Sequence, residues 1–275
     1  MNAMKKHLSL LLALCLLAAF LCPFAAAEED DDPEIETFSC GDFEYYLLED
    51  GTAAVAGYTG EGPDLLIPAE MDGVPVTFIS DYAFTGRTDL VRAVIPEGVT
   101  AIGESAFEEC AYLEDVVLPE GLAEIGTGAF YRCLSLEEVT LPQSLRVIGT
   151  AAFNSCQQLK RIDIPAGVTA IRRHAFSYCY ELTELVIPDG IPAVEESLFF
   201  ECEKLTSVTI PESVTSIGKW AFYSCKSLER LTIPAGVTEF GKEVFKRSKN
   251  LTVIVAPGSP AEQYCEKNHV NFAYE

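Results

Sequence analysis

Six cysteines stand at positions 110, 133, 156, 179, 202 and 225, each 23 residues after the last. Thiols at a fixed spacing offer three kinds of chemistry: disulfide bridges, a metal site, or a nucleophile activated by a neighbouring base. Other reactive groups are scarce. Beyond residue 27 the only histidines are His174 and His269. No nucleophile elbow, H-E-x-x-H, glycine-rich phosphate loop or calcium-loop string occurs. Carboxylates are abundant, but pairs of them carry no information in a chain with 42 acidic residues.

What positions the cysteines is a repeat, and the search for one comes first in any chain with a constant step. Phenylalanine keeps the 23-residue step at 84, 107, 130, 153, 176, 199, 222 and 245. Proline keeps it at 96, 119, 142, 165, 188, 211, 234 and 257, and leucine at 90, 113, 136, 159, 182, 205, 228 and 251. In "LEDVVLP" the residues Leu113, Val116 and Leu118 fit a short strand buried on one side. Pro119 ends it, having no N–H to donate. Leu122 and Ile125 form a second apolar pair, and "GTGAF" supplies a tight bend before a short turn of helix or 3₁₀ helix. Roughly seven core residues per unit, at about 2 kcal/mol each, cannot offset the ordering of a whole unit at about 1.5 kcal/mol per residue. A lone coil is therefore unstable, and neighbours must cover both of its open sides.

Stacking decides how the cysteines should be read. Parallel coils sit about 4.8 Å apart, within the roughly 4.4–6.8 Å Cα range of disulfides. In-register side chains point the same way, however, which suits a ladder of small buried thiols. The ladder is the expected state, bridges between neighbouring coils are the alternative, and a convergent metal site is disfavoured. Cys40 and Cys265 lie outside the column, one in each terminal region, roughly 35–40 Å apart across eight coils. His174, in "IRRHAF", is expected on a solvated face beside Glu195 and Glu196.

Inward columns repeat and outward columns vary, so recognition belongs outside. One outward column of the sheet face runs Arg92, Asp115, Glu138, Arg161, Glu184, Ser207, Arg230. The next runs Val94, Val117, Thr140, Asp163, Val186, Thr209, Thr232, Val255. These read either as a mixed-charge surface whose cross-strand pairs stabilise the stack or as a ligand-docking face. A second candidate is aromatic: Tyr131, Tyr178, Phe200 and Tyr223 flank the Phe–Cys turn, with Trp220 nearby. Exposed aromatics are enriched at interfaces; burial of both Trp220 and Phe200 would leave them a packing role only.

The unit resembles the BspA-like leucine-rich repeat, and "LTSVTIPESVTSIGKWAFYSCKSL" (Leu205 to Leu228) is close to its pattern. The resemblance covers about Phe38 to Glu275. Departures are local: Arg172 and Glu195 replace the repeated glycine, Arg87 and Ser248 stand in the cysteine column at its ends, and Pro192 is additional. The family implies an α/β repeat solenoid, a right-handed coil with a parallel β-sheet on one face and short strands, 3₁₀ or helical turns on the other. It also implies a non-enzymatic surface protein without cofactor that binds macromolecules, by adhesion to host matrix, cell-surface or microbial proteins. A structural scaffold module and a glycan-targeting accessory protein are the alternatives.

The ends give the expected organisation. Lys5 and Lys6, an apolar run to Phe24 and Ala25-Ala26-Ala27 read as a secretory signal over residues 1–27, so the mature chain is expected to be extracellular, either secreted or held at a cell surface. No second apolar span follows it. An acidic leader occupies 28–37. "FEYYLLEDGTAAVAGYTG" reads as strands joined at Asp50-Gly51, a hairpin cap over 38–66. The solenoid covers 67–257, its first coil carrying an insertion before Phe84. Ser259-Pro260-Ala261-Glu262 is a capping box opening a terminal helix, followed by a short strand, within a C-terminal cap over 258–275. The net charge is −23. Such a chain is repelled by phosphate backbones and anionic bilayers, so nucleic-acid and general membrane partners are disfavoured.

Overall fold

Alternating apolar residues bounded by proline leave each repeat room for strands of only two or three residues, and those are what form. The computed structural model describes residues 35–275; the signal segment and most of the acidic leader lie outside the described residues. The chain winds as a β-solenoid of leucine-rich repeat type. One ladder of parallel strands takes in Arg92–Val94 and Asp115–Val117, with Arg92 in register with Asp115. Further along the same face Glu138 pairs with Arg161 and Glu184 with Ser207. A second parallel ladder runs through Ala101–Ile102, Glu124–Ile125, Val147–Ile148 and Ala170–Ile171, again one coil per rung. Each coil therefore contributes to two sheets.

The third side differs from the expected helical turn. The only helix among the described residues lies at the C-terminal end, and no coil contains one. Two residues per coil instead adopt left-handed backbone geometry, for example Ser105 (φ 51°) with Glu109 (φ 58°), and Trp220 (φ 59°) with Ser224 (φ 59°). The reason lies in the hydrogen bonds. N–H groups of alternate turn residues leave their own coil and reach the next one: Ser105 donates to the Thr127 carbonyl, Phe107 to Ala129 and Glu109 to Tyr131, at 2.7–2.8 Å. Residues between them close i→i−3 turns, as when Cys110 donates to Phe107. A helix would keep all of these donors within one coil and leave the stack unjoined along this side.

The interior is filled by the repeated columns. The rings of Phe84 through Phe245 form a continuous stack with centroids 4.9–6.2 Å apart and planes within 25° of parallel. Each column cysteine is fully buried, and its Sγ donates to a carbonyl of the preceding coil: Cys110 to Phe84, Cys133 to Phe107, and so on to Cys225 with Phe199, at 3.0–3.2 Å. Ser248 Oγ makes the same bond to Phe222 at 2.7 Å. The column thus requires a small side chain with one hydrogen to donate. Burial drives these thiols well above their ordinary pKa, and Cys110 reaches about 12. All eight described cysteines are free thiols.

At the N-terminal end, β1 (Phe38–Cys40), β2 (Phe43–Leu47) and β3 (Ala53–Tyr58) form an antiparallel meander whose last strand joins the second ladder. The insertion in the first coil is a small hairpin, β4 (Asp64–Leu66) being followed by β5 (Glu70–Met71) and β6 (Val74–Ile79) around Asp72-Gly73. At the other end α1 (Pro260–Asn268) starts on Ser259, whose Oγ accepts from the Glu262 N–H at 3.2 Å. Strand Phe272–Tyr274 then pairs with Val253–Val255, so Val255, expected outward, is buried.

Candidate functional site

The left-handed turn determines what the outside of the third face can display. Between its two left-handed residues the chain alternates, so that the core phenylalanine points in and the residue after it points out. Phe200 and Tyr223 hold the outward position in two consecutive coils, and in the coil before them the neighbouring aromatic is Tyr178, the second left-handed residue of its turn. Phe200 and Tyr223 stack at 4.6 Å with planes 5° apart. Tyr178 meets Phe200 edge-on at 5.2 Å, and Trp220 lies 6.1 Å from Phe200 and 6.5 Å from Tyr223. Tyr180 extends the cluster, edge-on to Tyr178 at 6.3 Å. All five rings are half-buried, neither enclosed nor free-standing.

Cations frame the cluster. Lys219 Nζ lies 3.4 Å from the Trp220 ring centre, and the Arg247 guanidinium 5.4 Å from that of Tyr223. Trp220 Nε1 donates to Glu243 Oε2 at 2.8 Å, fixing the indole. Hydrogen bonds from Lys246 and then from Trp220 hold the Glu243 carboxyl below the usual carboxylate range. Partial burial raises the Tyr178 phenol, so it stays protonated and able to donate. Stacked and edge-on rings contribute about 0.5–1.5 kcal/mol per pair beyond the area they bury. The patch is therefore pre-ordered and amphipathic.

Not every aromatic expected here joins it. Tyr131 occupies the same column as Phe200, but three coils earlier, and among the described residues it stacks on no other aromatic ring. Asn154 and Ser177 hold the same column between them, and both are buried. Tyr180, Lys219 and Arg247 were not identifiable as members from sequence. Their approach depends on the path of the chain beyond each turn, and only the adjacency of Lys219 to Trp220 hinted at it. His174 is also placed differently from expectation. It is half-buried in a left-handed turn position, and burial lowers its pKa while the nearby Glu196 charge acts against that.

Part of the charged sheet face is satisfied by pairs within it. Arg92 Nε bonds Asp115 at 3.0 Å, and Arg161 bonds Asp163 at 3.1–3.2 Å. Asp163 first, with Glu184 and Glu138 as lesser neighbours, raises the Arg161 pKa. Arg230 has no carboxylate partner among the described residues. Elsewhere acids pair with bases one coil later, as in Glu109–Arg132, Glu137–Lys160, Glu181–Lys204 and Glu203–Lys226. Such exposed pairs are worth little individually, but they align neighbouring coils. Among the described residues no three His, Cys, Asp or Glu side chains converge as metal ligands.

Parallel short strands, a phenylalanine–cysteine core and an outward-facing patch define a leucine-rich repeat solenoid. The BspA-type leucine-rich repeat model matches residues 77–199 and 169–268 in six copies, and the chain belongs to that family. A leucine-rich repeat protein of T. pallidum is similar in structure, with a TM-score of 0.65 and 29% identity over 87% of this chain and 98% of that one. A leucine-rich cell surface protein of Faecalibacterium prausnitzii aligns with a TM-score of 0.59 and 32% identity, over 79% of this chain and 54% of that one. A Bacteroides ovatus leucine-rich repeat protein gives 0.64 and 26%, over 86% and 67%. No curated protein matches the chain in sequence.

Proposed function

We propose that this is an exported, cell-surface binding protein whose aromatic patch, Tyr178, Tyr180, Phe200, Trp220 and Tyr223, docks a protein partner in adhesion to host or microbial surfaces. The observation that carries this is the half-exposed stack of Phe200 on Tyr223, bordered by Trp220 and Tyr178. Rigid aromatics with polar tips supply contact area at low entropic cost. Family membership favours interaction over catalysis, and the F. prausnitzii relative is described as a cell surface protein. No helix among the described residues is long and apolar enough to cross a membrane. The division into leader, hairpin cap, solenoid and C-terminal cap belongs to the same proposal.

Recognition through the sheet column at Arg92, Asp115, Glu138, Arg161, Asp163, Glu184 and Arg230 is the weaker form of this proposal, because several of these groups are spent on one another. Exposed stacked rings also suit sugar faces, which keeps a glycan-targeting role as the second reading. Binding of the chain from residue 28 onward to immobilised matrix proteins and to a glycan array tests both. Saturable protein binding lost in Phe200→Ala and Tyr223→Ala supports adhesion. Sugar binding lost in the same variants supports the second reading, and no binding to either surface leaves a scaffold role.

A further inference from the structure

The two ends of the turn ladder are not equivalent. Every coil from Tyr82 to Trp220 passes three N–H groups to the coil after it, through seven successive steps at 2.7–3.2 Å. The last coil has none after it to receive them. Among the described residues the N–H groups of Glu243, Phe245 and Arg247 meet no acceptor, and the nearest element of the C-terminal helix touches only the Val244 N–H, through Tyr264 Oη at 3.0 Å. These three donors occupy alternate residues and continue the direction of twenty-one bonded predecessors. They border a cavity of about 410 Å³ lined by Phe245, Arg247, Tyr264, His269 and Asn271, adjoining a groove of about 520 Å³ through Arg247 and Lys249.

Charge singles out the same end. From residue 35 to the first basic residue, Arg87, every charged side chain is acidic, whereas residues 242–249 hold Lys242, Lys246, Arg247 and Lys249 against one acid, Glu243. Lys246 pairs with that acid at 2.6 Å, and Lys242, Arg247 and Lys249 have no carboxylate partner among the described residues. This is a local basic edge on a chain of net charge −23.

We infer that the C-terminal edge of the solenoid is a docking site for an extended acidic segment of a partner protein, laid down as the next rung of the turn ladder. An extended chain presents carbonyls on one side at every second residue, which matches donors at 243, 245 and 247. Its carboxylates then meet Lys242, Arg247 and Lys249, while an isolated anion engages the charges but not the row.

The test uses a fluorescein-labelled nonapeptide of alternating Glu and Asp, titrated against the chain from residue 28 onward by anisotropy. Saturable binding that weakens with salt is expected, with affinity falling by about tenfold or more in Lys246→Glu/Arg247→Glu and also in Lys249→Glu. The mid-solenoid reversal Lys160→Glu serves as a control and is expected to bind as the parent does. Melting curves confirm that each variant is folded. Three results overturn the assignment: no binding, equal binding by the edge variants, or competition by polyacrylate of equal charge or by sulfate as effective as unlabelled peptide. Phe200→Ala is expected to bind this peptide normally, which separates the edge from the aromatic patch.

Discussion

The inside and the outside of the same turn follow opposite rules. On the inside, Phe153 and Cys156 repeat their neighbours one coil away, and the stack works because every rung is alike. On the outside, the half-buried rings of Tyr131, Phe200 and Tyr223 share their column with the buried polar residues Asn154 and Ser177, so no single residue type repeats there. Identical rungs let each carbonyl meet a thiol and each ring meet a ring, so any departure is felt twice, by the coil before and the coil after. The outside has no such neighbour constraint, and specificity accumulates there. The difference predicts that inner substitutions unfold the protein, and that outer ones change only what it binds.

Raising pH attacks the inner column as a whole. Burial holds the folded thiols well above their ordinary value, so the unfolded chain ionises first and binds fewer protons. Their stabilisation is complete below about pH 8.5 and is lost above it, at about 1.4 kcal/mol per thiol per pH unit. Steep alkaline unfolding is expected in circular dichroism, less steep in Cys179→Ala. A flat stability profile from pH 8 to 11 would break the thiol ladder.

Phe153→Ala removes one ring from the middle of the stack and is expected to cost about 3–5 kcal/mol in urea denaturation. Phe200→Ala, one position beyond a core ring, is expected to cost about 1 kcal/mol. Equal losses for the two would erase the contrast between inside and outside.

Gly149 tests how closely coils approach. A Cβ there would lie 2.5 Å from the Gly126 carbonyl carbon, against backbone that cannot move aside independently. Gly149→Ala is expected to lower stability by about 1–3 kcal/mol, and an unchanged melting temperature would show that the coils have slack. The smallest effect is expected at the sheet surface. Arg92→Ala removes an ion pair whose two side chains are 49% and 56% exposed. It is expected to shift stability by less than about 1 kcal/mol, vanishing in high salt; a larger loss would make that face structural.

Much of this was legible beforehand because the period is a property of the chain. Proline, leucine, phenylalanine and cysteine columns stacked themselves once the 23-residue step was counted, and the capping box at Ser259 marked α1 without help from the fold. The turn side was expected to hold 3₁₀ or helical turns and holds left-handed turns instead, because nothing local shows that alternate N–H groups leave for another coil. The aromatic patch was half legible: column membership picked out Phe200 and Tyr223, and it also picked out Tyr131, which stands apart.

Composition and spacing by themselves determined the repeat, the columns that fill the core, the acidic balance and the need for neighbours, since all of these follow from covalent order and side-chain polarity. Only the tertiary structure decided that the cysteines donate to carbonyls of the preceding coil, that left-handed turns replace helices, that Tyr178 reaches Phe200, and that three N–H groups end the ladder without acceptors. Each of these is a contact between residues 20 or more positions apart, or the lack of one, and its geometry is fixed by the stacking distance and not by the residues on either side in sequence.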